Sequence, residues 1–68
     1  MSTPTVTVHG SNGRYTCEFS ALPGRTFGPW DLIETIQELK ISALLSAREA
    51  RDVVFDAAVN GTATAHTN

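Results

Sequence analysis

The sequence predicts an α+β fold: an N-terminal β-hairpin, extendable to a three-stranded meander, packed on two C-terminal α-helices. Three observations predict it. Residues 5–10 and 14–21 alternate apolar and polar side chains around Asn12-Gly13. Residues 29–40 and 46–61 instead repeat apolar side chains at helical spacing. Between the two helical stretches, "SARE" at residues 46–49 is a helix-start signature.

Each element follows from local chemistry. "TVTVHG" and "RYTCEFSA" put Val6, Val8, Tyr15, Cys17, Phe19 and Ala21 on one face. Thr5, Thr7, His9, Arg14, Thr16, Glu18 and Ser20 fall on the other, because successive strand residues point to opposite sides. Asn12-Gly13 tolerates the positive φ of a type I′ turn. A two-residue turn there pairs Val8 with Cys17, and a loop over residues 10–13 pairs Val8 with Tyr15. Both registers keep the apolar face intact. Pro23-Gly24 suits a type II turn, and residues 25–27 allow a short third strand. Pro29 suits the first turn of a helix, with Asp31 near its positive end. That helix, residues 29–40, carries Leu32, Ile33, Ile36 and Leu39 on one face, with Trp30 at the edge of the arc.

"ISALL" contains neither Gly nor Pro, so a single long helix is conceivable. The capping box favours a break: Ser46 accepts from a backbone N–H one turn on, and Glu49 reaches back. In the second helix Ala47, Ala50, Val53, Val54, Ala57 and Ala58 share a face. Asn60-Gly61 makes a C-terminal stop. "TATAHTN" is polar and reads as a frayed end. The expected organisation is one domain over residues 1–61 and a flexible polar tail over 62–68.

Size and charge bound the function. A chain of 68 residues buries a modest fraction of its surface and needs help from packing, metal, disulfide or association. Cys17 is the single cysteine, so an intrachain disulfide is excluded. No Cys/His cluster has metal-ligand spacing, and no cofactor is expected. Self-association as a homodimer is therefore expected. The first strand reads as an edge through which two copies could pair. The net charge of −2 argues against nucleic acid, whose binders usually carry a basic surplus. No apolar run reaches the ~18 residues of a membrane span. "MSTPTVTVHG" has neither the basic segment nor the apolar stretch of a secretory signal. With a lone thiol, this points to the cytoplasm.

The candidate chemistry thins on inspection. His9 and Cys17 alternate to opposite faces, beyond the reach a base needs of its nucleophile. Cys17 reads as a small buried apolar residue, His9 as solvated, and His66 as part of the tail. Asp31, Glu34 and Glu38 form an acidic stripe opposite the apolar face of the first helix, suited to steering a basic partner. Asn60-Gly61-Thr62 matches a glycosylation sequon but is read as a helix stop. "GSNG" joins two strands and opens no helix, so it is not a phosphate loop. No enzyme is expected.

Phe55 stands apart from the apolar face of its helix, with Val59 one turn on and Arg48 and Arg51 nearby. Two readings stay open: Phe55 reaches beneath the sheet or a loop, or it forms an exposed contact patch with Val59, Arg48 and Arg51. Aromatic and Arg side chains are favoured interface anchors. The sequence thus predicts a small protein-interaction module, with Phe55, Val59, Arg48, Arg51, Asp31, Glu34 and Glu38 as candidate partner-binding residues. Its size suits a regulator, inhibitor or accessory subunit of a phage or mobile element. The alternative is a nucleic-acid-binding regulator using Arg48 and Arg51, with Arg14 and Arg25. Against it stand the i,i+4 partner Asp52 for Arg48, and the acidic Glu49 and Asp56.

Overall fold

The computed structural model describes residues 3–67. The chain runs β1 (Thr5–Ser11), β2 (Arg14–Phe19), β3 (Phe27–Trp30), α1 (Leu32–Ser42), α2 (Ala47–Asn60) and β4 (Thr62–His66). It is an α+β fold. The strands form one antiparallel sheet in the order β3-β2-β1-β4. Both helices cover one face of it: α1 lies against β2 and β3, and α2 against β1 and β4.

The hairpin forms around Asn12 and Gly13, both at positive φ, as a two-residue turn. Its register pairs Val8 with Cys17, one of the two alternatives the sequence allows. Val6, Val8, Tyr15 and Cys17 are buried beneath the helices, with Phe19 packed partly against them. Ala21 falls beyond the strand and is exposed. Gly10 lies where β1 approaches α2 closely. A side chain there would meet the Tyr15 ring at 2.9 Å and the Ala57 carbonyl at 3.0 Å.

β3 begins two residues later than expected, at Phe27 rather than 25. It also absorbs Pro29, which therefore does not start the helix. Asp31 does: its side chain accepts from the Glu34 N–H at 2.8 Å, capping α1. α1 is thus Leu32–Ser42 rather than 29–40. The helices are separate. Leu44 in the connection takes a left-handed conformation with φ 56°, which ends α1 without a glycine. Ser46 and Glu49 then close a complete capping box at the start of α2.

The expected tail over 62–68 is corrected: residues 62–66 are β4, and Asn68 lies outside the described residues. Gly61, at φ 86°, reverses the chain while its N–H bonds the Ala57 carbonyl. The returning strand pairs antiparallel with β1, Val6 facing Ala65 and Val8 facing Ala63. Ala63 and Ala65 pack against the core, and Thr64 meets Thr7 hydroxyl to hydroxyl at 3.1 Å on the outer face. β1 is consequently interior. The expectation that its edge joins two copies is overturned, because β4 already occupies that edge.

The core is the single layer between sheet and helices. Leu39, Ala43 and Leu45 enter it from α1 and the connection. Ala50, Val53, Val54 and Ala57 enter from α2, while Ala47 and Ala58 stay exposed. The burial of α1 is rotated from the expected face: Thr35 is fully buried and Ile33 is 64% exposed. Thr35 is tolerated inside because its hydroxyl donates to the Asp31 carbonyl at 2.6 Å. No helix among the described residues is long and apolar enough to cross a membrane.

Candidate functional site

Helix phase decides which side chains the helical layer turns outward. Successive residues step about 100° round the axis. Phe55 and Val59 therefore project away from the buried stripe of Ala50, Val53, Val54 and Ala57. Phe55 is 46% exposed and Val59 84%. On α1, Ile41 lies opposite Leu39 and is likewise exposed. Ile33 lies on the flank away from Glu38 and Ser42. Because that pair lines a cleft with residues of β2 and β3, the Ile33 flank is the one turned toward α2. Leu44, between the helices, is also exposed. Five large apolar side chains thus stand on the solvent side of the helical layer or in its connection. Phe55 and Val59 came from the sequence. Ile33, Ile41 and Leu44 did not: Ile33 is expected on the buried face of the first helix, and Ile41 and Leu44 lie beyond its expected end at residue 40.

Arg48 and Arg51 are exposed on α2. Arg48 makes no ion pair with Asp52 among the described residues; the pair formed is His9 Nε2 with Glu18 Oε1 at 3.4 Å, on the far face of the sheet. Of the three acidic residues expected along the first helix, Asp31 and Glu34 are exposed, Asp31 also serving as the N-cap. Glu38 is half-buried and accepts from the Ser42 hydroxyl at 3.2 Å.

Glu38 also lines a cleft of about 410 Å³ between α1 and the β2–β3 edge. Phe19, Phe27 and Trp30 form its walls, with Leu39 and Leu22 beside them. Phe19 and Phe27 meet edge to face, with centroids 5.6 Å apart and an interplanar angle of 75°. The Arg25 guanidinium lies 5.7 Å from the centre of the Phe27 ring. No periodicity signals this cleft, because its rings come from the ends of two different strands.

Cys17 lies under the helices with no exposed surface. Burial, and then the negative charge of Glu38, push its thiol up to about 11. A buried neutral thiol is a poor nucleophile. His9 projects from the opposite face of the sheet. Among the described residues no group of three or more His, Cys, Asp or Glu side chains could hold a metal ion. Comparison of the chain with protein-family models, with curated proteins and with solved structures found no match.

Proposed function

We propose that this chain is a small non-catalytic module that works by binding another polypeptide through the outer face of its helical layer. One observation carries the reading: Phe55, Val59, Ile33, Ile41 and Leu44 are all exposed there. Arg48, Arg51 and Glu34 stand among them as polar rim. Covering Phe55 alone is worth roughly 1.5–3 kcal/mol at full burial. A second copy is the first partner to consider. α2 contributes Arg48 and Arg51 and α1 contributes Glu34, so a two-fold arrangement can set unlike charges together. Such a module suits a regulator, inhibitor or accessory subunit, and its unpaired thiol suits a reducing cytoplasm.

The nucleic-acid alternative asks for a basic surface. Arg48 and Arg51 share α2 with Glu49, Asp52 and Asp56, and Arg25 is engaged with Phe27.

The test is Phe55→Asp. A half-exposed side chain can be exchanged without collapse of the fold, so far-UV circular dichroism should be unchanged. Light scattering of the wild type across a concentration series should show association that the variant loses. Capture of partners from a host lysate should fall with it. A variant that unfolds places Phe55 in the core and refutes the reading, as does a folded variant with unaltered association and capture.

A further inference from the structure

We propose that the cleft between β3 and α1 accepts the alkylammonium side chain of a lysine carried by a partner polypeptide. The inference rests on the reading of the chain as a protein-binding module, and it adds a second contact with its own chemistry.

Three rings from separate places in the chain converge on the cleft: Phe19 at the end of β2, and Phe27 and Trp30 at the two ends of β3. The faces of aromatic rings carry negative potential and attract cations. Within this protein Arg25 already lies over the Phe27 ring, and it reaches it from outside the cleft lining. Among the described residues Glu38 is the only charged residue that lines the cleft, and no basic residue lines it. Ser42 donates to Glu38 Oε2, which fixes the carboxylate. Among the described residues Oε1 has no partner. Its negative charge is felt inside the protein, where it adds to the upward shift of the Cys17 thiol.

The shape fits as the charge does. The rings offer an apolar wall for methylene groups, and the carboxylate offers a terminus for the ammonium. The mouth is open to solvent at Leu22 and Ser42, both exposed. A side chain still attached to its backbone can therefore enter. An anionic or neutral polar group would meet repulsion or lose its hydration without return.

Trp30 is the only tryptophan in the chain, so its fluorescence reads the cleft directly. The probe is the capped pentapeptide acetyl-Gly-Gly-Lys-Gly-Gly-amide. Its norleucine counterpart keeps the four carbons and lacks the charge, and n-butylammonium is the free amine. The lysine peptide should give a saturable change with Kd in the millimolar range. The norleucine peptide should bind about tenfold more weakly, the scale of one desolvated charge contact. Glu38→Gln should lower lysine-peptide affinity to the norleucine level with the circular dichroism unchanged. Equal binding of the two peptides overturns the proposal, as does an unaffected Glu38→Gln variant or the absence of a saturable change. Tighter binding of n-butylammonium than of the lysine peptide overturns it too, by assigning the cleft to free amines. Phe55→Asp should leave the lysine titration intact. Failure of the outer helical face and failure of the cleft are thereby read separately.

Discussion

Gly28 ties the cleft to the fold, and replacing it with alanine tests that tie. The residue sits in β3 at φ 106°, a conformation L side chains rarely adopt. A Cβ there would lie 2.7 Å from the Tyr15 carbonyl oxygen and 3.2 Å from the Trp30 nitrogen. Both are backbone atoms and cannot rotate away. The backbone conformation alone costs an L residue about 1–2 kcal/mol, and forcing atoms into filled space adds about 1–3 kcal/mol. Gly28→Ala should therefore destabilise by roughly 2–5 kcal/mol, much of the stability of so small a domain. Gly13→Ala is the matched control: φ is 74°, yet nothing lies within 4 Å of the added Cβ. It should cost only the conformational part, about 1–2 kcal/mol. Urea denaturation followed by circular dichroism gives both values, and Trp30 fluorescence shows whether the cleft loosens first. Equal costs for the two variants would refute the claim that close approach of β2 and β3 requires glycine at position 28.

Other perturbations probe the remaining supports. Ending the chain at Gly61 removes β4 and uncovers the whole edge of β1, so cooperative unfolding should be lost; a dispensable tail would leave the melting curve unchanged. Cys17 has its folded pKa raised from 9.0 to about 11. The preference for the neutral thiol is fully present below pH 9, and its stabilisation falls away as pH rises through the folded value. Denaturant midpoints should thus be insensitive to this group at neutral pH and decline between about 9 and 11, a decline that Cys17→Ala abolishes. Ser46→Ala breaks the capping box of α2 and should cost about 1 kcal/mol in urea unfolding; no change there would mean that tertiary contacts alone hold the helix start.

How much of this was legible in the sequence depends on how strongly each segment signals its period. The hairpin was plain because Asn12-Gly13 sits between two alternating runs with bulky inward residues. The start of α2 was plain because capping is written in two residues at fixed spacing. β4 was obscure for a physical reason: "TATAH" does alternate, but its inward residues are Ala63 and Ala65, whose small surfaces give little hydrophobic contrast with threonine. Its pairing is fixed by the turn at Gly61 and by the position of β1, both non-local. Pro29 misled because the first turn of a helix and an edge strand both tolerate a missing N–H. The cleft was invisible because only the chain reversal between β2 and β3 brings Phe19 beside Phe27. Of the candidate contact residues, Phe55 and Val59 were readable as misfits on their own helix. Glu38 reads as solvated from its helical phase, and the fold half-buries it at the rim of a cleft lined by aromatic rings.

The phase of α1 carries a further implication for the outer face. A helix that had only to cover the sheet would set its largest apolar side chains along the buried stripe. α1 instead places Thr35 in that stripe, fully buried, and leaves Ile33 and Ile41 outside, 64% and 71% exposed. Thr35 needs its hydrogen bond to Asp31 to remain there at all. Full burial of an isoleucine is worth about 1.5–3 kcal/mol, so the isolated chain forgoes much of what these two side chains could contribute. The same holds on α2, where alanines at positions 50 and 57 occupy the core and Phe55 stands outside. In both helices some inward positions are small or polar, beside Leu39 on α1 and Val53 and Val54 on α2, while Ile33, Ile41 and Phe55 lie outward. Close approach of α2 to β1 at Gly10 accounts for the small residue at Ala57. It does not account for the bulky outward ones, whose burial is realised only when another surface covers them.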